Sequence, residues 1–223
     1  MRFLRENSLS LFFFGIFLLT LVGQSLAGQR AFNAEQAAHD EPTVSWARYL
    51  VSSDFGGAVT ENWQSEFLQF TLFILATVWL VQKGSNESKQ LDEAGPESKQ
   101  KQRLEGYAPE TAPLWAKVTG WRSWVFQNSL LLAMSGIFLA SWAAQSLTNW
   151  TQFNREQVAH GEASLSWGDY VLSADFWERS LQNWQSEFLA DGTMVVFTIF
   201  LRQRGSPESK PVGAPHDETA SSG

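Results

Sequence analysis

The 223-residue chain contains no cysteine. That excludes disulfides, thiolate metal sites and a thiol nucleophile. It leaves the compartment open, because a cysteine-free chain is safe on either side of a membrane. Positive charge is also scarce: 16 Lys and Arg stand against 23 Asp and Glu, a net charge of −7. A nucleic-acid binder needs a basic patch, and this balance argues against one. No glycine-rich phosphate loop, nucleophile elbow or zinc-protease motif occurs, and no Ser–His–Asp ordering stands out.

Tryptophan is abundant, with 11 residues. Its ring buries well while its N–H stays wet, which suits a membrane interface. The mean hydropathy of −0.18 hides a segregated pattern. Four blocks hold most of the apolar residues, and the stretches between them are polar. The first block, "LSLFFFGIFLLTLVGQSLA" from Leu9, is long enough to cross roughly 30 Å of hydrocarbon as a helix. Arg2 and Arg5 before it and "SLA" at its end also fit a cleaved signal peptide. The third block, "NSLLLAMSGIFLASWAAQSL" from Asn128, is the same segment placed mid-chain, where no signal peptide belongs. Both are therefore read as retained spans. "FFFGIFLL" is apolar all round rather than on one face, which argues against the core helix of a soluble bundle.

The likeness of these blocks is part of a longer repeat. Sliding the sequence on itself sets Asn7 on Asn128, "GIFL" at Gly15 on "GIFL" at Gly136, and "NWQSEFL" at Asn62 on "NWQSEFL" at Asn183. The match has no gap, and nearly half of the pairs between 7–89 and 128–210 are identical. Two large copies of one unit are the reading, since the period is too long for the usual solenoids.

The second and fourth blocks, from Phe67 and Phe188, are shorter. Fifteen residues of helix rise only about 22 Å. They reach across if each helix starts near Asn62 and Asn183, so that the heptad forms its first two turns. The expected organisation is a first repeat 1–89 with spans about 8–28 and 62–82, and a charged cytoplasmic linker 90–120. A second repeat 121–210 follows, with spans about 127–148 and 183–202, and then a disordered tail 211–223. Most Lys and Arg fall in the N-terminus, linker and C-terminus, and only Arg30, Arg48, Arg155 and Arg179 fall in the two loops 29–61 and 150–182. That bias places both termini in the cytoplasm. The two hairpins then run parallel, with their symmetry axis along the membrane normal. In each loop Trp46, Tyr49, Leu50 and Phe55, or Trp167, Tyr170, Val171 and Phe176, recur at helical spacing. A short amphipathic helix is expected there, capped in the first loop by Thr43 or Ser45.

Three groups of residues carry candidate chemistry. Glu35 and His39, like Glu156 and His160, are four apart and share a helix face. Two such pairs are a candidate site for zinc, manganese or iron, while each pair alone merely supports its helix. Gln64, Glu66, Gln185 and Glu187 lie at the edge of the hydrocarbon, with Gln24 and Gln145 as natural hydrogen-bond partners. They serve as interhelical glue or line an ion or proton path. Asp191 breaks the repeat, because its counterpart is Phe70, and it lies one turn below Glu187. Two such carboxylates repel unless one holds a proton or a cation sits between them.

The stretches "FLREN", "AHDEP", "NWQSEFLQF", "VQKGSNESK" and "RQRGSPESKPVGAPHD" resemble a family of bacterial multi-pass membrane proteins, domain of unknown function 6766. The resemblance covers nearly the whole chain. It implies an all-α protein of the bacterial inner membrane with four transmembrane helices, and brings no catalytic residue, cofactor or substrate. The function expected is that of an integral inner-membrane protein acting as a non-enzymatic scaffold or interaction protein. Its partners are the lipid bilayer and a second copy or another membrane protein. An ion or proton transporter and a metal-dependent enzyme are the alternatives.

Overall fold

A computed structural model describes residues 2–97 and 99–220. Among the described residues the chain is all-helical, with no strand. Helix α1 (Arg2–Glu6) leads into α2 (Ser8–Ala38), α3 (Trp46–Leu50) and α4 (Ser53–Trp79). Single 3-10 turns follow at Leu91–Glu93, Gln100–Gln102 and Glu105–Tyr107. After them come α5 (Leu114–Lys117), α6 (Trp121–Gln127), α7 (Ser129–Ala159), α8 (Trp167–Val171) and α9 (Ala174–Phe200).

Helices α2 and α7 have 31 residues each, about 46 Å of rise. Each runs ten or more residues beyond the span expected from its apolar block. The reason is that the following polar residues still form helix, and a defined stop comes only later. At that stop Asp40 donates its N–H to Ala37 and Glu41 donates to Gln36, with Asp40 at φ 57°. Gly161 and Glu162 make the same two bonds, to Val158 and Gln157, with Gly161 at φ 75°. This pairing is a Schellman stop, which needs one left-handed residue.

Helix α4 begins at Ser53 and α9 at Ala174, well before the expected Asn62 and Asn183. The heptad is therefore a mid-helix segment and not the first two turns. The cause is a serine cap that lies upstream of the apolar pattern. Ser52 Oγ accepts from Phe55 N at 3.2 Å, and Ser173 Oγ accepts from Phe176 N at 3.3 Å.

Among the described residues two helices, α2 and α7, are long and apolar enough to cross a membrane. Only 6% and 17% of their apolar windows are buried. Four such segments were expected. At 27 residues α4 and α9 are long enough, but the polar heptad interrupts both and Asp191 interrupts α9. Neither keeps a sufficiently apolar run.

The amphipathic helices expected in the loops 29–61 and 150–182 shrink to five residues each, α3 and α8. Of the two expected caps, Thr43 and Ser45, it is Ser45 that caps α3, accepting from Arg48 N at 3.4 Å. Phe55 and Phe176 fall on α4 and α9 instead. Tyr49 and Tyr170 are buried, so these turns pack inward.

By internal contacts the chain forms two compact units. Unit 1 comprises 1–60 and 144–169, and unit 2 comprises 61–143 and 170–223. In unit 2, Trp142 is ringed by Phe138, Phe176, Trp177 and Trp184 at centroid distances of 5.6 to 6.0 Å. Such aromatic contacts each add about 1 kcal/mol beyond area burial. The connecting segments are tied down too. Lys89 Nζ donates to the Gly95 carbonyl at 2.7 Å, and Lys117 Nζ donates to the Glu110 carbonyl. The tail was expected to be disordered from its composition. Ala220 N donates to the Ser85 carbonyl at 3.1 Å, and Gly84 N donates to Thr219 Oγ1 at 2.8 Å. The fully buried Lys210 donates to the carbonyls of Pro215 and His216. Residues 221–223 of that tail lie outside the described residues.

Candidate functional site

In unit 2 the heptads of α4 and α9 meet. Trp184 Nε1 donates to Gln64 Oε1 at 2.6 Å. Ser65 Oγ donates to Glu187 Oε1 at 3.4 Å, and Gln69 Nε2 donates to Asp191 Oδ1 at 2.5 Å. Residues 64 and 65 and then 69 step along one side of α4, as do 184, 187 and 191 along α9. Three polar rungs therefore join the two helices. Gln64 is fully buried: Trp184 satisfies its side-chain oxygen, and its Nε2 donates to the Glu61 carbonyl at 3.1 Å.

The rungs are not symmetric. Gln185, the counterpart of Gln64, is exposed, and so are Ser186 and Glu66. Identical heptads thus face different surroundings. Asp191 meets Gln69, an amide, rather than pairing with Glu187 through a shared proton. Among the described residues no cation forms an ion pair with Glu66, Glu187 or Asp191. Neutral donors hold the second and third of these carboxylates.

The remaining polar candidates lie in unit 1. Gln24 is exposed. Gln145 is fully buried, and among the described residues neither its side-chain nitrogen nor its oxygen has a hydrogen-bond partner. Glu35, His39, Glu156 and His160 are all exposed at the C-terminal ends of α2 and α7. His160 Nδ1 lies 2.8 Å from the backbone carbonyl of Glu156, so the ring folds back onto its own helix. Among the described residues no three of His, Asp or Glu converge as metal ligands would.

Sequence reading missed the clamp on Arg155. Its guanidinium makes two bonds to Asp54, at 2.6 and 3.0 Å, and lies 5.7 Å from the centroid of the Phe32 ring. The Asp54 hydrogen bonds hold the guanidinium in its charged form and raise its pKa. Below it, Gln152 Nε2 donates to the Ser53 carbonyl at 3.0 Å. A signal was present: Arg155 stands where the first stretch has Ala34, the same kind of break that drew attention to Asp191. In unit 2, Asp175, the counterpart of Asp54, accepts from Tyr170 Oη at 2.9 Å and from Arg179 Nε at 3.1 Å. Arg179 also lies 3.5 Å from Glu61. Burial, and then the bond to Asp175, pushes the Tyr170 hydroxyl above the usual tyrosine range.

A family model matches residues 1–221. The chain belongs to that family, the domain of unknown function DUF6766. No curated protein and no solved structure matches it.

Proposed function

We propose that the chain is an integral protein of the bacterial inner membrane that crosses it four times and acts as a non-enzymatic scaffold. It is built from two parallel hairpins of one duplicated unit, with both termini in the cytoplasm. The observation that carries this reading is the surface of α2. Phe12, Phe13, Phe14 and Leu19 are 59%, 61%, 67% and 75% exposed, on all sides of one helix. So much apolar surface is unfavourable in water and needs lipid around it. Helices α4 and α9 cross as well on this reading, because the polar rungs satisfy each other and leave apolar residues such as Phe70, Leu75 and Phe197 for lipid.

The scaffold role follows from the outer end of unit 1. Asp54 is spent on Arg155, a structural bond. Glu35, Asp40, Glu41, Glu156 and Glu162 are exposed at or just past the C-terminal ends of α2 and α7, an acidic surplus. A partner with a basic surface fits it. Crosslinking in cells from Glu41→Cys and Glu162→Cys tests both parts. The expected result is a specific adduct from a chain that resists carbonate extraction. A chain that washes off with carbonate contradicts the membrane placement. A resistant chain with no specific adduct contradicts the scaffold role.

The carboxylates of the rungs favour a second reading, transport of protons or cations past Glu66, Glu187 and Asp191. Carboxylates without cationic partners inside a membrane mark such paths. Asp191→Asn with Glu187→Gln abolishes flux in liposomes on this reading. Unchanged flux, or no flux in the parent, removes it.

A further inference from the structure

We propose that unit 2 carries a binding site for one anionic phospholipid. The site is a cavity of about 840 Å³ between the last turns of α4, the start of α7 and the linker. The inference rests on the membrane placement proposed above. Its two walls differ in chemistry. Leu75 and Val78 of α4 and Leu131 of α7 make an apolar wall. The linker contributes Lys101 and Arg103 to the lining, both exposed. Among the described residues neither cation forms an ion pair.

Lys89 also lines the cavity, but its ammonium is committed to the Gly95 carbonyl and fixes the loop. Among the described residues Glu97 is the one carboxylate of the lining, against three cations. A local positive excess is unusual in a chain of net charge −7. A free small anion would use the cations and leave the apolar wall without a role. A zwitterionic lipid would use the wall and gain little from the cations. An anionic phospholipid uses both, with its phosphate at Lys101 and Arg103 and its acyl chains along Leu75 and Val78. The placement agrees, because Trp79 closes α4 beside this cavity at 61% exposure, as a headgroup-level aromatic does. The volume lies within the range of ordinary ligand cavities.

The test is native mass spectrometry of the purified full chain in detergent. It is titrated with phosphatidylglycerol, with phosphatidylcholine, and with phosphatidylglycerol plus excess inorganic phosphate. Phosphatidylglycerol is expected to stay bound, phosphatidylcholine to be lost, and inorganic phosphate to displace nothing. Lys101→Gln and Arg103→Gln should each weaken retention about fivefold, and the pair about twenty-five-fold. Lys83→Gln, which removes an exposed cation outside the cavity, should leave it unchanged. Equal retention of the two lipids, or an equal loss with Lys83→Gln, overturns the proposal. Displacement by inorganic phosphate also overturns it, in favour of a site for free anions. The single variants keep the test decisive if the double variant does not express. Carbonate extraction of the parent separates the two ways to fail. A resistant chain without headgroup preference loses only the lipid site, whereas a chain that washes off loses the membrane placement as well.

Discussion

The turn from α2 to α3 and the turn from α7 to α8 are nearly the same object, whereas the identical heptads of α4 and α9 are not. In the first turn Asn33 accepts from Val44 N at 2.8 Å and donates to the Val44 carbonyl at 2.9 Å. In the second, Asn154 makes the same two bonds to Leu165 at the same distances. Trp46 donates to Ser25 at 3.1 Å, and Trp167 donates to Ser146 at 3.2 Å. Even unlike residues take one role there: Gln29 Nε2 and Trp150 Nε1, at equivalent positions, donate to those same two carbonyls. These bonds close within a short reach of sequence, so the same letters give the same structure. The heptads find partners in distant sequence. Gln64 becomes buried while Gln185 stays exposed, because their neighbours differ. Local repetition fixes local geometry, and long-range context decides burial.

The largest test of that contrast is at Gly57. A Cβ placed there would lie 2.8 Å from Asn149 Oδ1 and 3.1 Å from Gln152 Nε2. Its counterpart, Glu178, is exposed. Gly57→Leu should cost about 3 kcal/mol by overpacking, and Glu178→Leu should be nearly neutral. Thermal unfolding in detergent measures both, and equal costs would break the contrast.

The matching turns predict matching costs. Asn33→Ala and Asn154→Ala each remove two backbone bonds, about 2 kcal/mol apiece. Denaturant titration should find the two values within experimental error of each other. A wide gap between them would mean that the turns differ in ways their bonds do not show.

The heptads predict the opposite. Gln64→Ala strands the Trp184 N–H inside unit 2 and should cost about 1.5 kcal/mol, near the upper end for bonds between membrane helices. Gln185→Ala should change stability by less than about 0.5 kcal/mol. Similar losses at both positions would contradict the asymmetric rungs.

The smallest effect concerns the helix stops. Asp40 holds the left-handed conformation that Gly161 holds without a side-chain penalty. Asp40→Gly should stabilise by about 1 kcal/mol, and Gly161→Asp should destabilise by a similar amount. Midpoint shifts of one sign for both would contradict the shared stop.

The legible part of the fold follows the same division. The apolar blocks of α2 and α7, the Ser45 cap and the duplicated letters are local features and were readable. The start of α4 was not, because its cap, Ser52, precedes a Gly56-Gly57 pair that reads as loop. The apolar pattern resumes only at Phe67. Among the candidate residues, Glu66, Glu187 and Asp191 drew attention in the sequence by the cost expected of carboxylates inside a span. Their partners did not, since Gln69 lies 122 positions from Asp191. The Arg155 clamp was hidden for the same reason, its partner Asp54 being 101 positions away. The Glu–His pairs had the spacing of a metal motif, but spacing alone could not show that His160 turns onto its own backbone.

The measurement that bears most directly on the membrane placement is single-cysteine labelling with a membrane-impermeant maleimide, for which this cysteine-free chain needs no background removed. Asp40→Cys and Gly161→Cys should both react in intact cells, while Asn86→Cys and Pro207→Cys should react only after the membrane is opened. Reaction of the first pair from opposite sides, or of all four positions from one side, would contradict four crossings by two parallel hairpins.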